Sequence, residues 1–140
     1  MERILPQGCL FIPVERHRDQ RGDLAVLTDS IPKNFKTERV YYVNSLKTEH
    51  KRGDHAHRVQ SQILFVLHGK LVVTLDDGEK SVALEMDEYS NGLLIGPVTW
   101  CTIEAKLDNS LYLILADGLY DQLEYITDFE EYKKMRSWLS

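Results

Sequence analysis

The chain has 140 residues, 43% hydrophobic and 28% charged, with a net charge of −5; this suits one domain, residues 1–140, with a core of its own. The acidic balance argues against non-specific binding to nucleic acid, so any anionic ligand must be small and held by local arginines. No apolar run is long enough to cross a membrane as a helix, and Met1–Glu15 lacks the basic start and apolar centre of a signal peptide.

Short runs of β-branched and aromatic residues alternate with turn residues, the pattern of an all-β sandwich or barrel. Cys9–Val14 reads as a strand. Asp19–Asp23, with Arg21 before Gly22, reads as a turn, followed by a strand over Leu24–Thr28. Arg39–Val43 is a strand by propensity, with Arg39 and Tyr41 on one face and Val40 and Tyr42 on the other. The next strand carries Arg52-Gly53-Asp54-His55-Ala56-His57. Gln62–Leu67 then runs into a turn at His68-Gly69. Lys70–Leu75 joins Lys80–Leu84 through the turn signal Asp76-Asp77-Gly78. Gly92–Ile95 and Trp100–Glu104 flank Gly96-Pro97, and the apolar run Ser110–Ala116 predicts a central strand. From Asp128 the pattern turns helical. Asp128 can cap with Glu131 three residues on, and Phe129, Tyr132, Met135 and Arg136 share a face directed at the barrel. Tyr132 and Trp138 are expected to pack from this helix.

His55 and His57 stand at i and i+2, so both imidazoles point to one side of their strand. A neutral imidazole accepts and returns protons near pH 7, and a pair of them suits acid–base chemistry. An arginine fork matches phosphate geometry, which makes Arg39 and Arg52 candidate anion ligands. Tyr41 offers a phenol on the same face as Arg39. Cys9 and Cys101 are far apart in sequence and are expected to be reduced thiols, in keeping with a cytoplasmic location. His17 and His50 lie among charges and are expected to be solvated.

The spacing His55-x-His57-x4-Gln62-x6-Gly69, followed by Gly92-x4-Pro97-x3-Cys101, resembles the two motifs of the cupins. Metal-binding cupins have a glutamate where this chain has Gln62 and a histidine where it has Cys101. A neutral amide is a poor ligand for a divalent ion, so no metal and no other cofactor are expected. More narrowly, the chain resembles the sugar 3,4-ketoisomerase family from about Val14 to Tyr132. The residues that carry this are Arg39-Val40-Tyr41-Tyr42, Arg52-Gly53-x-His55-x-His57, Gln62, Leu75-Asp76-Asp77-Gly78, Gly96-Pro97-x-x-Trp100 and Tyr120-Asp121-x-x-x-Tyr125-Ile126.

The resemblance implies a jelly-roll β-barrel with a short C-terminal helix and a homodimer with exchanged N-terminal strands. It implies a dTDP-linked 4-keto-6-deoxyhexose as ligand, isomerised through an enediol on the way to a 3-amino-3,6-dideoxy sugar for a glycan or an antibiotic. It places proton transfer on His55 and His57, with Tyr41 as donor to the enediolate. Arg39 and Arg52 would neutralise the diphosphate, Gln62 would orient a histidine or a hydroxyl, and Trp100 would wall the sugar. Arg21 and Cys101 fall where members of the family differ and where the configuration at C4 is decided; Arg21 matches the galacto type and Cys101 matches neither. Three other readings stand beside this one. They are a metal-dependent cupin using His55, His57 and Cys101, a non-catalytic nucleotide-sugar binder, and an epimerase on the same ligand.

Overall fold

The structure is a computed structural model and describes residues 5–139. Twelve strands and one α-helix follow in order. They are β1 (Leu10–Ile12), β2 (Glu15–Asp19), β3 (Gly22–Val26), β4 (Arg39–Leu46), β5 (Lys51–His57), β6 (Gln62–His68), β7 (Lys70–Asp76), β8 (Ser81–Asp87), β9 (Gly92–Ile95), β10 (Trp100–Ala105), β11 (Ser110–Ala116), β12 (Tyr125–Ile126) and α1 (Phe129–Leu139). One five-stranded sheet has the order β1-β9-β6-β11-β4; the facing five-stranded sheet runs β12-β5-β10-β7-β8; β2 and β3 form a separate hairpin. This is the cupin type of β-sandwich, all-β with a C-terminal helix.

The core lies between the two larger sheets. Leu64, Val66 and Ile114 from the first meet Leu71, Val73, Leu75 and Ile103 from the second. β6 reads as an unbroken apolar run because both of its faces are covered. Leu64 and Val66 face the core, while Ile63 and Phe65 belong to a second cluster with Ile12, Phe35 and Leu94 on the outer side. Ser110–Ala116 is an interior strand between β6 and β4, as its composition predicts.

α1 closes the outer side of the second sheet. The Asp128 carboxylate accepts the Glu131 N–H at 3.1 Å, so the expected cap forms. Tyr132 is fully buried, and its hydroxyl donates toward the carbonyl oxygens of Asp76 and Val98, each at 2.9 Å. Arg136 Nε donates to the Asp77 carbonyl at 2.9 Å. Trp138 does not pack as expected: it is 85% exposed, because it falls on the face of α1 turned away from the sheet.

The other departures are local. Glu15–Asp19 pairs with Gly22–Val26 as a hairpin, where the sequence suggests only a turn and one strand. Its second strand also starts two residues earlier than Leu24. Two-residue β12 follows a short 3₁₀ turn at Gln122–Glu124, a segment with no strand alternation to read.

Candidate active site

Sheet register builds the site. On the first sheet Ala116 pairs with Arg39 on one side and with Gln62 on the other, and Gln62 pairs with Ile95. These residues make one transverse row. Tyr41, Ile114 and Leu64 form the next row, and Tyr112 with Val43 and Val66 the one after. On the facing sheet His55 pairs with Cys101, and His57 pairs with Tyr125 of β12. The two sheets part here to leave a cleft of about 790 Å³, lined among others by Arg39, Tyr41, Arg52, His55, His57 and Gln62. That volume suits a drug-sized or nucleotide-sized ligand.

The histidines lie edge to face, with ring centroids 4.9 Å apart. The Tyr125 ring touches both, at 4.9 Å from His55 and 4.7 Å from His57. His55 Nδ1 lies 2.9 Å from the Gly53 carbonyl oxygen, which can only accept. This fixes the proton on Nδ1 and leaves the Nε2 lone pair free. Gly53 reaches that position with φ +75, and a Cβ there would stand 2.9 Å from the Cys101 carbonyl oxygen, so the turn of chain before the histidines requires glycine. Both ring nitrogens of His57 are buried without a partner.

Burial lowers the pKa of His55; the hydrogen bond with Gly53 and the charge of Asp54 oppose it. Burial, then His55, then Arg39 push His57 down to about 4. Both imidazoles are therefore neutral at pH 7, each with one nitrogen lone pair, and burial opposes their lasting protonation. Tyr41 donates to Gln62 Oε1 at 3.3 Å. Burial and neighbouring phenols push its pKa up to about 12, so it stays a proton-bearing donor.

The remaining expected site residues divide. Arg52 lines the cleft and is exposed, and it interacts with the Tyr112 hydroxyl. Cys101 also lines the cleft but belongs to the core cluster, and burial pushes its thiol up to about 12. Trp100 does not wall the cleft. It is 5% exposed, packed edge-on to Phe129 at 5.1 Å and near Tyr132 at 5.5 Å, with Nε1 donating to Asp54 Oδ1 at 3.3 Å. Strand alternation accounts for this: Cys101 points inward, so Trp100 must point out beneath α1. Arg21 is not at the cleft of its own chain. It sits in the exposed β2–β3 turn, paired with Asp19 at 2.6 Å. The sequence reading gave no role to Tyr125, Tyr120 or Gln122, which line the cleft. The Tyr-Asp-x-x-x-Tyr spacing was their available signal.

The donors do not fit a cupin metal centre. Gln62 supplies an amide in place of a carboxylate, and Cys101, in place of an imidazole, belongs to the apolar core cluster. Among the described residues no three His, Cys, Asp or Glu side chains converge.

A jelly-roll cleft that holds two neutral imidazoles, a phenol and two arginine side chains defines a cupin of the acid–base type. The chain belongs to the family described as FdtA: WxcM-like, C-terminal, which matches residues 7–137, and this is a family of sugar 3,4-ketoisomerases. The chain is 34% identical over 116 residues to the TDP-4-oxo-6-deoxy-α-D-glucose-3,4-oxoisomerase of Aneurinibacillus thermoaerophilus, a match covering 83% of this chain and 84% of that protein. Its fold matches a 3,4-ketoisomerase from Helicobacter canadensis with a TM-score of 0.86 at 29% identity, covering 92% of this chain and 97% of the other. It also matches a histidine-to-asparagine mutant of the 3,4-ketoisomerase QdtA from Thermoanaerobacterium thermosaccharolyticum, solved in complex with TDP-4-keto-6-deoxyglucose. That match has a TM-score of 0.88 at 25% identity and covers 96% of this chain and 97% of the other.

Proposed function

We propose that this protein converts dTDP-4-keto-6-deoxyglucose to a dTDP-3-keto-6-deoxyhexose without a metal. The observation that carries the reading is the His55–His57 pair in a cleft of nucleotide-sugar size, with one imidazole fixed in its base-ready tautomer. The C4 ketone acidifies the proton on C3. Nε2 of His55 takes that proton, the C–H electron pair becomes the C3=C4 bond, and the carbonyl pair moves onto O4. The proton on O3 passes to O4, with His57 and Tyr41 as the proposed relay from the same cleft. His55 then returns its proton to C4 as the ketone forms at C3. One carbon-bound and one oxygen-bound proton have each moved by one position, and no electron has left the sugar. Arg52, at the exposed end of the cleft, is the proposed ligand of the diphosphate.

The proposed assembly is a homodimer with exchanged N-terminal strands, and the proposed location is the cytoplasm. The β2–β3 hairpin supports the first: Leu24 is 60% exposed on it, and the hairpin belongs to neither large sheet. The product's C3 ketone suits a later amination.

Proton NMR of dTDP-4-keto-6-deoxyglucose in deuterated water with chelator-treated protein tests the reading. The expected result is loss of the C3 proton signal and growth of a 3-keto species, whose coupling at C4 gives the configuration. Bound substrate with an unchanged spectrum would instead mark a non-catalytic binder, and exchange with the ketone still at C4 would mark an epimerase.

A further inference from the structure

Besides those of His57, the orphaned nitrogens in the cleft lie in one row of the first sheet. Arg39 Nε and Nη2 and Gln62 Nε2 are all buried without a hydrogen-bond partner. Arg39 and Gln62 flank Ala116 on paired strands, and both line the cleft. Tyr41 fixes the Gln62 amide by donating to Oε1, which turns the NH₂ end into the free donor. The Arg39 guanidinium lies 5.4 Å from the Tyr41 ring centroid and 5.8 Å from that of Tyr120, so two aromatic faces hold it in place. Leaving buried donors unpaired is costly, so such donors call for an acceptor, and a guanidinium beside an amide suits an oxygen that carries negative charge.

A nucleotide sugar brings two sources of such oxygen to the cleft, the diphosphate and the keto oxygen as it becomes an oxyanion. Position separates them. Arg52 pairs with Ile103 and interacts with Tyr112, which lies four residues from Ala116 along β11, roughly 13 Å at the rise of a strand. Arg52 is exposed, as suits a diphosphate entering from solvent. Arg39 is at the other end, close enough to His57 to disfavour its protonation. Given the ketoisomerase reading, on which this rests, we propose that Arg39 and the Gln62 amide nitrogen form the oxyanion site for the C4 keto oxygen, and that the diphosphate is held apart from them by Arg52. When the C3–H bond breaks, its electron pair forms C3=C4 and the carbonyl pair settles on O4, facing these donors; the proton stays on His55. Arg39 is thus a catalytic residue, not the phosphate ligand that its family position first suggests.

Turnover and TDP affinity measured on the same variants separate the roles. Arg39→Gln should lower kcat about a hundredfold or more, the effect of removing an oxyanion donor, while TDP affinity by calorimetry stays as in wild type. Arg52→Gln should weaken TDP about tenfold, the effect of one lost charge-assisted hydrogen bond. If Arg39→Gln weakens TDP as much as Arg52→Gln and keeps its kcat at saturation, Arg39 binds the diphosphate and the proposal is wrong. Wild type that binds TDP but leaves the 4-keto sugar untouched overturns the ketoisomerase reading and this assignment together. Should Arg39→Gln not fold, Arg39→Lys replaces it, because charge without the planar fork should keep TDP affinity and still lower kcat.

Discussion

Along β4, β11 and β6 the inward face changes character within three rows. At one end Val43, Val66 and Leu64 pack into the core, with Tyr112 and Ile114 beside them turning one side to the cleft. At the other end Arg39, Ala116 and Gln62 occupy the same strands in the same register, with buried nitrogens that nothing satisfies. The backbone ladder is the same throughout, so the difference is wholly one of side chains. One end supplies stability, because its apolar groups leave water. The other gives up stability for donors that await a ligand. A scaffold can therefore carry a poorly satisfied site only while its neighbouring rows are well packed.

Substitutions at the two ends should separate these contributions. The largest effect belongs to the cleft. His55→Asn should reduce isomerase turnover by about 10²–10⁴-fold, the usual contribution of a general base, with a melting temperature close to that of wild type. A fall in melting temperature matching the loss of turnover would show that the histidine holds the fold instead. At the core end, Leu64→Ala should cost about 2–5 kcal/mol in urea unfolding, since Leu64 is fully buried. Folded protein that remains should still turn over substrate; selective loss of kcat without destabilisation would dissolve the contrast.

The smallest effect is a pH dependence at the boundary. The folded pKa of His57 is depressed to about 4 from the ordinary 6.5 of a free imidazole. Between those values the unfolded chain binds the extra proton, so stability is full above about pH 6.5 and falls as pH drops toward 4. The loss between neutral pH and pH 5.5 should be about 1 kcal/mol. Urea titrations of wild type and His57→Asn at both pH values check this, and the variant should lose that part of the slope. An identical slope in both proteins would mean that His57 is solvated.

Much of this was legible in the chain. Gly92–Ile95 and Ser110–Ala116 have the bounds their apolar runs predict. Arg39 and Tyr41 share the cleft face by simple alternation. What escaped reading has physical causes. Glu15-Arg16-His17-Arg18-Asp19 pairs as a strand although it is wholly polar, because a hairpin outside the two large sheets has no buried face to impose alternation. Tyr125 reaches both histidines from a strand too short to show a period. Trp100 suggests a ligand wall by its chemistry, and only the inward turn of Cys101 shows that it faces the other way.

The strand order also bears on how the site comes into being. Every neighbour pair in the sheet β1-β9-β6-β11-β4 joins strands that are not consecutive in sequence, whereas β7 and β8 of the facing sheet are joined by a tight hairpin. A hairpin closes in microseconds, but distant strands must lose the entropy of long loops before any ladder rewards them. Chains of this topology fold on the order of milliseconds to seconds. Arg39 and Gln62 meet across β11 only when two such distant pairings are both in register. A single residue of slippage in either would turn its side chain to the far face of the sheet. The ligand site is thus a late product of folding, and its integrity reports that the longest-range pairings in the protein have closed correctly.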